Sequence, residues 1–323
     1  VSPDAVPEGA KPTLSTAVAR RLMRVLPLEP DPRTNFFYVA RMGDEESPEM
    51  SELLFKESSR TYDDEAEIPF LDLYFDYPVR DLLRGKSLLD LGCSVGGRSV
   101  RLAETLQVPL LMGVDILPQD TRVAGRFAES RGIRSDFRAG GAEKLPYESE
   151  SVDNIVSYDA FEHVASPEAA LAECRRVLVP GGHLAVVFPP FLNPFESHLL
   201  FSELPALHWF FSGRTLEKAQ RSIAAEKGWE PGVLPEGLAS WEKLPSLNGL
   251  SRSGFRRAVE KTGWEVLYLR FCPLFTTGRR AQRSPFFRFL RKVATPFAAV
   301  PGVRELATDR VVAVLRKPGG AAG

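Results

Sequence analysis

The stretch Leu88 to Gly97 (LLDLGCSVGG) joins an apolar run to a glycine-rich turn. Glycine carries no side chain and tolerates positive φ, so such a turn brings the backbone close to a ligand. Gly92, Ser94 and Gly97 imitate the G-x-G-x-x-G spacing of dinucleotide sites with serine in the middle, and a purely structural tight turn has the same form. Asp90, two residues before Gly92, shifts the balance. A carboxylate at the tip of a strand repels a pyrophosphate and attracts an ammonium group. Asp115 follows 25 residues later in MGVDI, where a carboxylate can accept both hydroxyls of a ribose. A ligand with an amino group at one end and a ribose further along satisfies both acids. S-adenosylmethionine has that form.

These acids face one ligand only if the strands that carry them end at the same edge. From Leu88 on, short apolar runs alternate with segments of helical period, the pattern of a parallel sheet covered by helices. Strands are predicted at 87–91, 110–114, 134–138, 152–157 and 183–188, with helices at 98–106, 120–130 and 167–178 between them. Ser166 reads as an N-cap, Pro167 as the first helical position, and Gly181-Gly182 as the link into the fifth strand. A helical stretch is predicted around 16–26, and Ser251 opens another helix that ends at Gly263. Residues 264–271 and 310–315 add two strands, making seven. The expected organisation is an N-terminal helical segment (1–86), a cofactor-binding core (87–189), an acceptor-binding lid (190–250) and a C-terminal part of the core (251–317) with a basic insertion at 272–308. The lid segment is long, aromatic and interrupted by prolines, which suits a functional cap over the carboxyl ends of the strands better than plain loop.

Composition removes several alternatives. The chain has 323 residues, 44% apolar and 26% charged, which is ordinary globular usage. A formal net charge of -1 gives no global basic field for nucleic acid. No run approaches a membrane span, and the first residues lack the order of a secretory signal. Three scattered cysteines (Cys93, Cys174, Cys272) suggest a reducing, cytoplasmic setting. The four histidines show no paired metal-ligand spacing, so no metal is expected. The charge is unevenly spread: thirteen acids lie between Asp44 and Asp81, whereas Phe271 to Arg304 holds seven bases and no acid. Either the two segments pack together, or the basic, aromatic stretch 276–292 touches a membrane surface or an anionic substrate.

Taken in order, LLDLGCSVGG, GVD, GGAEKLPYESESVDNIVS, FEHV and ECRRVLVPGG resemble the class I S-adenosylmethionine-dependent methyltransferases, in particular the small-molecule branch related to quinone-biosynthesis enzymes. The resemblance covers about a third of the chain. It implies a Rossmann-like α/β fold whose seven-stranded sheet is mostly parallel, with helices on both faces and the last strand antiparallel. By position, Asp90, Gly92, Ser94 and Gly96 would cradle the methionine part of the cofactor. Asp115 would bind the ribose, Ile116 would pack on the adenine, and Ala142 and Glu143 would lie at the adenine edge. Ser157 and Tyr158 would flank the methionine and the sulfonium. Two positions depart from the family. Ser94 stands where glycine is usual, and Gly141 where an aspartate usually accepts a bond from the adenine amino group.

Transfer of a methyl group is an in-line displacement, in which the protein positions the acceptor and excludes water. A hydroxyl or amine acceptor also needs a base. His163, just past the fourth strand, ranks first; His198, in the lid, ranks second; Glu196 is a third candidate. The FEHV pair also reads as a structural pair that fixes its loop. The lid aromatics, among them Phe191, Phe195, Phe201, Trp209, Trp229 and Trp241, favour an apolar pocket for a small molecule: a natural product, quinone-like ring, glycan precursor or lipid. The sequence leaves open a catalytically silent S-adenosylmethionine-binding module. A nucleic-acid methyltransferase would carry an aromatic-proline tetrad after the fourth strand, where this chain has YDAFEHV.

Overall fold

The computed structural model describes residues 13–28, 47–195, 198–199, 201–228, 240–241, 244–276 and 284–319. Glu196, Trp229, Arg279, Arg280 and Arg283 lie outside them, and nothing is described of the Trp241 side chain.

Seven strands form the central sheet: β1 (Leu88–Leu91), β2 (Leu111–Asp115), β3 (Ser135–Ala139), β4 (Val152–Tyr158), β5 (Leu178–Phe188), β6 (Glu265–Pro273) and β7 (Thr308–Arg316). Their spatial order is β3-β2-β1-β4-β5-β7-β6. β1 to β5 pair in parallel, and β7 runs antiparallel to both β5 and β6. The carboxyl ends of β1 to β6 and the start of β7 therefore share one edge.

Strand residues alternate between two apolar layers, as period-two geometry requires. Leu88, Val156, Ala185, Val187, Val312 and Val314 face one layer, which also holds Phe70, Tyr74, Leu102 and Leu106. Leu89, Ile155, Leu184, Val186, Val311 and Ala313 face the other, with Leu171, Cys174, Phe255 and Val259. The first layer holds α3 (Phe70–Tyr74), α4 (Val79–Leu83) and α5 (Gly97–Leu106); the second holds α7 (Pro167–Val177) and α10 (Arg252–Lys261). α6 (Pro118–Ser130) lies beside α5. Side-chain caps start several of these helices: Ser166 accepts from Ala169 N, and Ser251 from Gly254 N.

Three expectations change in detail. β5 begins at Leu178, directly after α7, so Gly181-Gly182 lies inside the strand. The register there jumps from Val152↔Leu178 to Asn154↔His183, which absorbs the extra residues as a bulge. α1 (Leu14–Met23) stops short of Leu26. The acidic helix α2 (Pro48–Glu67) packs on α5 and α6, and Arg60 pairs within it with Glu57 and Asp64. The basic helix α11 (Pro285–Ala294) packs instead beside the 3-10 turn Thr295–Ala299.

The 189–250 segment leaves the carboxyl end of β5. Its helices α8 (Leu207–Phe210) and α9 (Gly213–Glu226) share a small core with α1, built from Ala19, Met23, Phe201, Leu216, Ile223 and Leu247. Arg20 ties α1 to Ser222 (3.0 Å) and Glu226 (2.9 Å) of α9. The end of the segment lies on the loop after β4: Asn248 Nδ2 donates to the carbonyls of Phe161 (2.7 Å) and Val164 (2.9 Å).

Candidate functional site

The turn after β1 is stitched to β2. The N–H groups of Gly92 and Cys93 both donate to the Val114 carbonyl, at 2.9 and 3.1 Å. Gly92 has φ +84°, and a Cβ there would lie 2.5 Å from that of Ala160 in the loop after β4. Gly96, with φ +76°, caps α5 and would set a Cβ 2.6 Å from that of Ala124 on α6. Any side chain at either position would force the turn away from its neighbours. Ser94 also adopts positive φ (46°); its hydroxyl donates to Asp120 Oδ2 at 3.2 Å. This bond offsets part of the about 1–2 kcal/mol that a non-glycine residue costs there.

Asp115 closes β2 and is held by backbone donors. Oδ2 accepts the Ser94 N–H (2.9 Å) and Oδ1 the Leu117 N–H (3.1 Å). A pocket of about 190 Å³ opens beside it. Of the residues singled out in the sequence, Gly92, Ser94, Asp115, Ile116, Ala142, Glu143 and His163 line this pocket. Asp90, Gly96, Ser157, Tyr158 and His198 do not. Asp90 is buried, accepts from Ser99 Oγ at 2.6 Å, and is pushed up to about 6 by burial. Ser157 Oγ donates to the Leu91 carbonyl, and Gly96 faces α6. The Tyr158 ring lies 4.1 Å from the Arg98 guanidinium, and its hydroxyl is 3.4 Å from that of Tyr74. Behind Arg98, burial pushes the Glu65 carboxyl up to about 7; Arg98 Nε, 3.5 Å away, opposes that shift. The Cys93 thiol is buried and pushed up, first by burial and then by Asp115 and Asp90, which makes it a poor nucleophile.

The sequence reading passed over Asp120 and Asp159, which also line the pocket. Asp120 stands in the first turn of α6, where a carboxylate is favoured, and Asp159 directly follows β4. Asp159 has φ 52°, and its Oδ1 lies 3.4 Å from Arg310 Nε on β7.

Among the described residues the wall thus carries four carboxyl side chains (Asp115, Asp120, Glu143, Asp159) and neither lysine nor arginine. A pyrophosphate would meet repulsion there; a cationic nucleoside would not. Residues 89–186 match a family described as "Methyltransferase domain". They form a class I S-adenosylmethionine-dependent methyltransferase domain. The cofactor fits the residues present: a carboxylate fixed at the end of β2, apolar Ile116 and Leu117 beside it, and a turn whose Gly92 leaves no room for a Cβ.

This methyltransferase domain is similar to the demethylmenaquinone methyltransferase of Thermus thermophilus, with 36% identity over 106 residues, 32% of this chain and 48% of that protein. It is also similar to the ubiquinone biosynthesis O-methyltransferase of Cereibacter sphaeroides, with 38% identity over 98 residues, 30% of this chain and 39% of that protein. The chain therefore spans less than half the length of these two relatives. Among solved structures, an S-adenosylmethionine-dependent methyltransferase from Mesorhizobium loti matches with a TM-score of 0.46 at 14% identity, covering 75% of this chain and 97% of that one. Among the described residues no helix is long and apolar enough to cross a membrane.

The domain meets the 189–250 segment at His163, which lines the same pocket. His163 Nδ1 lies 2.6 Å from the Ser246 carbonyl. A carbonyl only accepts, so Nδ1 carries the hydrogen and Nε2 the lone pair. Burial first, and then the neighbouring His198, lower the His163 pKa to about 4, so the ring is neutral at pH 7. The His198 ring centroid is 5.0 Å from that of His163, in a smaller cavity with Glu162 and Asn248. Glu162, His163 and His198 bring one donor atom each within 4.8 Å of one another, a convergence that chain spacing does not reveal. Gly141 leaves space: a Cβ there meets nothing nearer than Glu143 Oε2 at 3.4 Å.

Proposed function

We propose that the chain transfers the methyl group of S-adenosylmethionine to an oxygen or nitrogen of a small, largely apolar acceptor enclosed by the 189–250 lid. The observation that carries this reading is a pocket walled, among the described residues, by four carboxyl side chains and no lysine or arginine, with the neutral His163 bonded to the end of the lid segment. The similarity of the domain to quinone O-methyltransferases supports a ring-bearing acceptor.

The bound cofactor supplies an electrophilic methyl group on a sulfonium. In this reading Asp115 holds the ribose hydroxyls, Ile116 packs on the adenine, and Ala142 and Glu143 border its edge. Asp90, Gly92, Ser94 and Gly96 shape the turn at the methionine end, beside Ser157 and Tyr158. His163 takes the proton that the acceptor hydroxyl or amine loses as the new bond to carbon forms. Its Nδ1–H bond to the Ser246 carbonyl fixes the tautomer, so that Nε2 is the basic atom. A pKa of about 4 keeps the base unprotonated but weak. Its contribution should therefore lie near the low end of the 10²–10⁴ range for general bases.

The test is methyl transfer to demethylated quinols by the wild type and by His163→Ala and His198→Ala. His163→Ala should lower turnover about a hundredfold with the cofactor Kd unchanged. The acid limb of the wild-type profile should fall near pH 4 rather than 6.5. Cofactor binding without turnover on any acceptor would establish the silent module instead. A loss confined to His198→Ala would move the base into the lid. A chelator should leave the rate unchanged; a loss restored by added Mg²⁺ would make Glu162, His163 and His198 ligands rather than a base and its neighbours.

A further inference from the structure

The carboxyl edge of the sheet carries a second covering element, and its outer face is unpartnered among the described residues. β6 ends and β7 begins at that edge, so the chain between them leaves on the pocket's side of the molecule. α11 lies in this connection and buries none of its ten residues. Phe286 and Phe289 each expose 62% of their surface; Val293 is also exposed, and so is Phe297 in the following 3-10 turn. At about 100° per residue, Phe286, Phe289 and Val293 fall within about 60° of one another on the helix. Lys292 flanks this stripe about 60° from Phe289 and Arg288 lies about 100° from it, whereas Arg291 falls on the side of Phe287.

This face is held, not trailing. Phe287, on the inner side, lies 6.0 Å from the Phe275 ring, and Phe275 lies 5.3 Å from Phe195 at the start of the lid. On the other flank, Arg252 Nη1 donates to the Ala298 carbonyl at 3.1 Å, and Glu305 accepts the N–H groups of Arg252 and Ser253. Two anchors therefore fix a helix whose exposed apolar stripe points away from the body. A face of this kind rarely stays in water without a use.

Charge selects the occupant. Phe271 to Arg304 contains seven bases and no acid in a chain whose net charge is -1. An aromatic stripe flanked by bases suits a surface that is apolar below and anionic above. We propose that α11 and the turn after it dock on an anionic lipid bilayer. The phenylalanines enter the boundary between headgroups and acyl chains, and the flanking Lys292 and Arg288 meet the lipid phosphates. This is independent of the methyl transfer proposed above.

The test is sedimentation of the whole chain with phosphatidylcholine vesicles that contain one-quarter phosphatidylglycerol, against vesicles of phosphatidylcholine alone. Wild type should pellet with the first and not the second, and less so as salt is raised. Phe286→Ser/Phe289→Ser should weaken binding at least about tenfold. Arg288→Gln/Lys292→Gln should weaken it about thirtyfold, since each base contributes about 1 kcal/mol near such a surface. Both variants replace exposed residues, and an unchanged Tm and cofactor Kd will show that they are folded. Three results overturn the proposal: wild type that stays in solution with anionic vesicles, equal binding to both vesicle types, or variants that pellet like wild type. A concentration-dependent dimer that Phe286→Ser/Phe289→Ser abolishes, without vesicle binding, would make this face a subunit interface and overturn it too.

Discussion

The two halves of the pocket are built differently. The half around Asp115 is backbone work. Turns that follow neighbouring strands are stitched together by N–H groups of Gly92, Cys93, Ser94 and Leu117. The half around His163 is assembled from distant pieces. Ser246 and Asn248 reach the loop after β4 from the end of the 189–250 segment, and Ala19 and Met23 of α1 complete that segment's core. The first half can be stiff because its bonds join segments only about twenty residues apart. The second depends on contacts made across 83 residues or more, so it is the half that can open without unravelling the sheet.

This contrast breaks if damage to one half spreads to the other. Asp115→Ala should raise the cofactor Kd at least about tenfold and leave thermal unfolding of the lid unchanged; calorimetric titration and a thermal melt check both. Asn248→Ala should do the reverse. It strands the carbonyls of Phe161 and Val164 and frees Leu250 N–H, so the acceptor KM should rise about tenfold while the cofactor Kd moves less than about twofold. Steady-state kinetics separates the two, and equal effects on both ligands would show that the halves act as one.

Glu65 probes the stiff half through pH. Its carboxyl rises from 4.5 to about 7 on folding, so the folded state holds the proton more tightly. Its contribution is present in full below 4.5 and is lost as pH rises through 7. Glu65→Gln should therefore gain about 2 kcal/mol relative to wild type between pH 5 and 8, measured by urea unfolding. A difference that stays flat with pH would show that Glu65 is ionised throughout. The smallest effect sharpens the adenine end: Gly141→Asp has room, and should tighten cofactor binding about threefold in the same titration.

The legibility of the sequence follows the same division. The seven strands and the helices α5, α7 and α10 came from apolar runs and caps, because parallel strands buried on both faces leave continuous apolar signals, and the antiparallel last strand came from the family resemblance. That Gly92 and Asp115 line one pocket was legible because a local turn places them, and Ile116 came from the family resemblance. Asp159 was not, since its partner Arg310 lies on β7, far along the chain. The convergence of Glu162 and His163 with His198 was equally hidden, as no spacing rule links the loop after β4 to the lid. Gly181-Gly182 was misplaced because a bulge inside a strand and a turn before it use the same residues.

Asp309, the second residue of β7, carries one more consequence. It is buried; its backbone carbonyl and Oδ1 accept Asn193 Nδ2 at the start of the lid, and its Oδ2 accepts the N–H of Thr276, where the basic connection departs. The 189–250 segment and the basic connection are thus hooked on one carboxylate. They are not separate modules for a protein engineer. Exchanging the lid for that of another methyltransferase would take the Asn193 donor from the Asp309 carbonyl and Oδ1 at the root of the helix that stayed, leaving both to Arg310 Nη1. The unit that can be transplanted is the lid, the basic connection and the first turn of β7 together.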